Sequence, residues 1–386
     1  MIQLGPVLKR GENARGLATK AIHEGNSEGI DIIPPIYQTA IFKHPFGAQI
    51  RGRELKYSRE DNPTVNLLEK RMAALEGGED CLAFSSGMAA ISTLVMGTLS
   101  KGDTILTSKE IYGATLILFR SLEKFGIKVE AVLNESVQDH IRRGTKMVFV
   151  ETITNPVLKV SDIPSLIKTC KEEGAIMVVD NTFATPVNFR PLEFGADYVV
   201  ESATKYLGGH NDVIAGILAG SGLDQIWEWR RNLGGSLDPF AAYLVLRGLK
   251  TLKLRVQEHN RRAQEVAEYL EGHRKVKRVH YPGLRSSRYF EVASRFMKGF
   301  GGVVAFEVEG GEKAQKLLRS FRLIKTAPSL GGAETLITHP ASSSHKNISP
   351  AERKELGIED GLLRISVGLE DIEDIIRDLE QGLDSI

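Results

Sequence analysis

Cysteine is scarce in this sequence. Only Cys81 and Cys170 occur in 386 residues, far apart and without metal-ligand spacing. Two such thiols offer no disulfide framework and no thiolate metal site, and both sit beside apolar segments, so buried thiols are expected. An excess of charge is also missing. Lys plus Arg number 50 and Asp plus Glu 49, a formal net charge of +1. Nothing in that balance asks for nucleic acid or an acidic membrane as a partner. No segment approaches the roughly 20 consecutive apolar residues needed to span a bilayer. The stretch 1–6 lacks the apolar run of a secretion signal, so a soluble cytoplasmic protein is expected. Two glycine signatures are absent as well, GxxxxGK and GxGxxG. Nucleoside-triphosphate and nicotinamide-dinucleotide readings therefore lose their main support.

What is present is ample core material. Apolar residues make up 42%, and the length exceeds what one core usually serves. The texture divides the chain into an irregular arm over 1–55, broken by Pro34, Pro35 and Pro45, then domains over 56–240 and 241–386. A helix is expected from Pro63. Asn62 caps it, Val65, Leu68, Met72 and Leu75 share one face, and Gly77 with Gly78 ends it. Short apolar strands at 81–84, 104–107, 146–150, 176–179 and 197–200 then alternate with helices at 87–99, 113–125 and 162–173. That alternation implies an α/β fold with a large, mostly parallel sheet covered on both faces. One long helix is expected from Pro239, capped by Asp238, to about 272. A smaller C-terminal α/β domain follows, with a strand at 302–306 and helices at 312–320 and 371–383.

Ligands of an open parallel sheet sit beyond the carboxyl ends of its strands. Ser85, Ser86, Gly87 and Met88 follow the first of these strands and open a helix. A glycine turn there presents backbone N–H groups to an anion, or simply allows close packing. Asp180 ends another strand; a carboxylate there can hold a metal, a ribose or a protonated ring nitrogen, or merely cap a turn. Glu151 and Asn155 close a further strand end. Ser202 and Thr204 alternate with Lys205 ahead of Gly208 and Gly209. A desolvated lysine is a nucleophilic amine, whereas a lone strand-end lysine is usually just solvated.

The combination outweighs its parts. Pyridoxal phosphate needs an amine for its aldehyde, an acid for its ring nitrogen and donors for its phosphate. Lys205, Asp180 and the set Gly87, Ser202 and Thr204 meet those needs in one sheet. Lys205 would hold the cofactor and shuttle protons. Tyr112, after the 104–107 strand, would stack on the ring.

These residues resemble the Cys/Met-metabolism pyridoxal-phosphate enzymes over nearly the full length. The matching stretches are Tyr57 to Arg59 with Asn62, Pro63 and Thr64; Ser86, Gly87 and Met88; Tyr112 and Gly113; Asp180, Asn181 and Thr182; and Ser202 to Tyr206. Ser329 to Gly332 and Arg364 to Glu370 match near the end. The resemblance implies an aspartate-aminotransferase-like fold, that of fold type I pyridoxal-phosphate enzymes, and small amino-acid substrates. It implies that Tyr57 and Arg59 bind the phosphate in a neighbouring subunit's site, in a homotetramer built as a dimer of dimers. Gly87 and Met88 would give backbone N–H groups to that phosphate. Arg364 would clamp the substrate carboxylate through bidentate geometry, with Asn155 and Ser329 positioning cofactor and substrate. No metal is implied.

Within the family, Gly209 to Asp212, Leu233 to Leu237 and Ala327 to Ser329 look most like cystathionine γ-synthases, which join an activated homoserine ester to cysteine in methionine biosynthesis and transsulfuration. The expected reaction is that γ-replacement, with Lys205 moving protons and Tyr112 as acid or base. Methionine γ-lyases are similar around His339 to Ser342, but they carry a cysteine where this chain has Ala114. Pro328 stands where many cystathionine γ-lyases and bacterial synthases have glutamate. A γ-lyase is the alternative; a non-catalytic protein that kept the cofactor pocket is the alternative of another class. His210, His339 and His345 receive no role and are expected to be structural or solvated.

Overall fold

The computed structural model describes residues 15–26, 31–45, 47–346 and 348–386. Near the start a two-stranded hairpin pairs β1 (Gln49–Ile50) with β2 (Arg53–Glu54). The large sheet has seven strands: β3 (Asp80–Phe84), β4 (Thr104–Ser108), β5 (Lys128–Val132), β6 (Met147–Glu151), β7 (Ile176–Asp180), β8 (Tyr198–Ser202) and β9 (Gly216–Gly220). Their order is β3-β9-β8-β7-β6-β4-β5. From β8 to β5 every pairing is parallel, and β9 runs antiparallel to both its neighbours. The parallel strands read as apolar runs because helices cover both faces. Leu106, Val148, Val150, Met177 and Val179 enter one core layer, and Ile105, Met147, Phe149 and Val178 the other.

The helix expected from Pro63 spans Pro63–Glu76. Asn62 caps it by accepting the Thr64 N–H, and Gly77 leaves it in the left-handed region at φ 73°. A second, five-stranded sheet follows in the order β10 (Arg278–His280), β11 (Val303–Glu307), β14 (Leu362–Ser366), β13 (Leu336–Thr338) and β12 (Lys325–Thr326). Its core joins Val304, Phe306, Leu363 and Ile365 to Ala263, Val266 and Leu270 of the helix Leu252–Glu271 and to Ile375 and Leu379 of the last helix.

Several expectations are corrected. The arm over 1–55 is not wholly irregular: it holds a helix at Leu17–His23 and the β1–β2 hairpin, while 1–14 and 27–30 lie outside the described residues. Ala21 is the helix's one buried residue, so it carries no apolar stripe to read. The helix expected from Pro239 to about 272 is two helices, Pro239–Leu249 and Leu252–Glu271. Leu249 and Leu252 are both fully buried, so the apolar pattern runs through the break and hides it. Arg255 secures the junction, donating to the Gly248 carbonyl at 2.7 Å and to the Tyr206 carbonyl at 2.8 Å. Strands β5 and β9 were not anticipated. The first is a half-exposed edge with mixed polarity, and the second is bounded by glycines.

Cys81 and Cys170 are buried and unpaired. Among the described residues no helix is long and apolar enough to cross a membrane.

Candidate active site

The ends of β6, β7 and β8 open onto a cavity of about 730 Å³. The loop before β13 and residues of β13 and β14 complete its wall. Of the expected site residues, Gly87, Met88, Tyr112, Asn155, Asp180, Ser202, Thr204, Lys205, Ser329 and Arg364 all line it. Asp180, Ser202 and Lys205 share one wall because parallel strands end at the same level, and Ser329 and Arg364 join them from the second sheet and its loop, Arg364 standing 277 positions after Gly87 in sequence.

Lys205 follows β8 in a turn. Its ammonium group donates to Ser329 Oγ at 2.7 Å and meets no carboxylate among the described residues. Burial, and then the positive charge of Arg364, pull its pKa down from 10.5 to about 8. Asp180 ends β7. Its Oδ1 accepts from the Thr182 hydroxyl at 2.6 Å and the Thr182 N–H at 3.0 Å. Burial raises this carboxyl, while the two Thr182 donors favour its charged form.

The turn after β3 starts a helix at Gly87–Thr98, where Ser86 accepts the Ala89 N–H. This helix end sits close against the neighbouring strand ends. A Cβ on Gly87 would lie 3.2 Å from Ser202 Cβ. A Cβ on Gly216 would overlap the Ser86 carbonyl and lie 2.7 Å from Gly87 N. The two glycines therefore allow helix N–H groups and the Ser202 hydroxyl to meet at one end of the cavity. Thr204 Oγ1 accepts the Ala215 N–H at 3.1 Å, which fixes its hydroxyl.

Arg364, on β14, is 7% exposed. One nitrogen donates to Asn155 Oδ1 and another to the Ser329 carbonyl, each at 2.8 Å. Its Nε is buried without a partner. Burial lowers its pKa from 12.5 to about 10, which leaves it cationic at neutral pH. A guanidinium held in place by neutral oxygens, with donor capacity unspent, is suited to a substrate carboxylate. Tyr112 precedes the helix Gly113–Leu122 and is half-exposed.

Tyr57 and Arg59 do not line this cavity. Tyr57 is 40% exposed, and Arg59 donates to the Arg231 carbonyl at 2.6 Å. Glu151, Thr182 and Ile214 line the wall without having been singled out as site residues. So do Phe183, Ser343 and Ser344. Glu151 and Thr182 adjoin strand ends that the sequence did flag; Ser343 and Ser344 carry no sequence signal. His339 bonds the Asp360 carbonyl at 2.7 Å, and His345 meets the Ser344 hydroxyl at 2.8 Å. His210 is exposed and touches the Gly208 carbonyl. None of the three histidines lines the cavity.

The donor set fits pyridoxal phosphate. It offers a partly desolvated amine without an acidic partner, a buried carboxyl at a neighbouring strand end, and a glycine-lined helix start beside a hydroxyl.

Comparison with known proteins agrees. L-methionine gamma-lyase of Fusobacterium nucleatum is 43% identical over 390 residues, covering 96% of this chain and 98% of that protein. Cystathionine gamma-lyase of Bacillus subtilis is 41% identical over 359 residues, covering 91% and 94%. The solved structure of cystathionine gamma synthase from Xanthomonas oryzae pv. oryzae, in complex with aminoacrylate and cysteine, superposes with a TM-score of 0.89. It is 37% identical and covers 96% of this chain and 98% of that one. The fold is thus that of fold type I pyridoxal-phosphate enzymes, as expected. A family model for Cys/Met metabolism PLP-dependent enzymes matches residues 18–384, and the chain belongs to that family, with pyridoxal phosphate as its cofactor.

Proposed function

We propose that the protein acts on the γ-carbon of a sulfur-bearing 2-amino acid and expels a thiol by γ-elimination. The observation that carries this is the cavity wall itself. Its acidic residues from this chain are Asp180 and Glu151, at neighbouring strand ends, and Pro328 lines it where many cystathionine-handling relatives place a glutamate. A wall of Pro328, Ile214, Ser343 and Ser344 suits a leaving group without a second ammonium. The likeness to methionine and cystathionine γ-lyases supports the same reading.

Bound here, pyridoxal phosphate supplies an electron-withdrawing ring that acidifies the hydrogen on the substrate's α-carbon. Lys205, whose amine is partly neutral near pH 8, takes that proton and returns one to the substrate chain. Asp180, a buried carboxyl at the end of β7, would pair with the ring nitrogen. Gly87, Met88, Ser202 and Thr204 would hold the phosphate, and Arg364 with Asn155 and Ser329 would orient the substrate carboxylate. Tyr112 would cover the ring and serve as acid or base near the γ-carbon.

Among the described residues the cations that line the cavity are Lys205 and Arg364, which leaves none for its phosphate end. Tyr57 and Arg59 of a neighbouring subunit are assigned to it. The active unit is then at least a dimer, and the homotetramer belongs to the same reading. So does the division of the chain into 56–240 and 241–386.

The second reading is γ-replacement, in which cysteine adds to the substrate chain and cystathionine leaves. Ala114 in place of the methionine γ-lyase cysteine favours it, as does the likeness to the Xanthomonas synthase. The test is a paired assay. Purified protein is offered methionine, cystathionine and O-phospho-, O-succinyl- and O-acetylhomoserine, each with and without cysteine. A 2-oxo acid and a thiol released from a sulfur substrate without cysteine establish elimination. Cystathionine formed from an ester only when cysteine is present establishes replacement.

A further inference from the structure

Glu151 is buried at 6% exposure, lines the cavity, and has no part in the chemistry above. Its Oε1 accepts the backbone N–H of Tyr112 at 2.6 Å. That bond crosses 39 positions of sequence, tying the end of β6 to the loop after β4. Its Oε2 is buried without any partner among the described residues. Strand register sets Glu151 directly beside Asp180. Ser161 Oγ donates to the Glu151 carbonyl at 2.8 Å, so the backbone beneath it is fixed too.

We infer that Glu151 is a positioning residue that holds Tyr112 over the site through its backbone N–H. The inference rests on the reading of Tyr112 given above. The loop after β4 is also held by the buried Ile111 side chain and, at its base, by Lys109 and Glu110. There Glu110, ion-paired with Lys159, accepts the Asn134 N–H at 2.5 Å. Tyr112 itself is half-exposed, so packing alone does not set its height. The strong donor–acceptor contact from Glu151 does.

The charges around it fix the form in which Glu151 works. Burial, and then the charges of Asp180 on β7 and Glu110 on the loop, raise this carboxyl well above its usual range, against the backbone N–H groups of Tyr112 and Asn155, which favour its charged form. Lys205 and Arg364 line the same cavity, but neither bonds Glu151. These influences favour the neutral form of Glu151, and the two Thr182 donors favour the charged form of Asp180 beside it.

The test compares Glu151→Gln with Glu151→Leu in the full-length holoenzyme. Glutamine keeps the acceptor and replaces the hydroxyl by an amide, and leucine removes both. In the leucine variant kcat should fall about 100-fold, the scale of an ångström of misplacement. KM should stay near the wild-type value, because Arg364 is untouched, and the visible band of the bound cofactor should shift as its stacking partner moves. Glutamine should rescue most of kcat and restore the band.

A second arm needs no cofactor. A carboxyl raised on folding costs stability as pH rises above its unfolded value near 4.5. Cofactor-free Glu151→Gln should therefore melt above wild type at pH 8, with the gap narrowing toward pH 5. A glutamine variant as slow as leucine, or less stable than wild type at pH 8, overturns the inference. So does a leucine variant with wild-type kcat. If wild type shows neither a visible band nor γ-chemistry, the functional reading fails, and the melting arm still decides the protonation of Glu151.

Discussion

Lys205 Nζ and Ser329 Oγ lie 2.7 Å apart and join the two sheets across 124 positions of sequence. Ser329 adopts a positive φ of 94° without being glycine. Such a conformation costs about 1–3 kcal/mol and survives only where its surroundings hold it. Here the same residue meets Lys205 with its hydroxyl and Arg364 with its carbonyl. Ser329→Ala keeps the carbonyl and removes the hydroxyl. Steady-state kinetics should show kcat down about tenfold, the scale of one hydrogen bond, with KM little altered.

Burial of Lys205 makes two outcomes depend on pH. Its amine is neutral above about 8, so capture of pyridoxal phosphate by cofactor-free protein should speed up with pH and level off above that value. A lysine with a depressed pKa also penalises folding, in full below its folded value, where it must carry its charge inside the fold, and progressively less up to its unfolded value. Cofactor-free Lys205→Met should therefore be more stable than wild type below about pH 8, with the difference closing toward 10.5. Thermal melts across pH check this, and borohydride should trap cofactor on wild type but not on the variant.

If Arg59 serves a neighbour's site, two inactive variants should rescue each other. Arg59→Ala and Lys205→Ala chains, unfolded together and reassembled, form mixed dimers in which one site has both native residues. Activity should return to about a quarter of wild type for random pairing in symmetric dimers. No recovery above the separate variants would place Arg59 in its own chain's site or outside the chemistry.

Gly216→Ala should be costly although the change is one methyl group. The added Cβ overlaps the Ser86 carbonyl and crowds Gly87 N, so the helix start must move. A loss of roughly 1–3 kcal/mol is expected from overpacking. Weaker phosphate binding should accompany it, read by denaturant unfolding and by titration with pyridoxal phosphate.

Much of the site was legible because chemistry and strand ends coincide in sequence. Asp180, Ser202 and Lys205 each adjoin an apolar run, and a parallel sheet brings such positions to one edge. Arg364 was legible by resemblance alone. Glu151 was noted only as part of a polar turn, because its role depends on a backbone N–H 39 positions away. The hidden helix break at 250–251 and the glycine-bounded β9 escaped for a related reason: local pattern continues where tertiary contacts interrupt.

The amino-acid sequence by itself determined the α/β class, the capped helix at Pro63–Glu76, the buried thiols and the cofactor-type chemistry around Lys205. Those features follow from periodicity, turn residues and side-chain reactivity, all written within a few residues. Only the tertiary structure decided that Ser329 meets Lys205, that Asn155 braces Arg364, and that Tyr57 and Arg59 stand outside their own chain's cavity. Those relationships depend on how strands register and how two sheets face each other. Energies of that kind are summed over the whole core and are written at no single place in the chain.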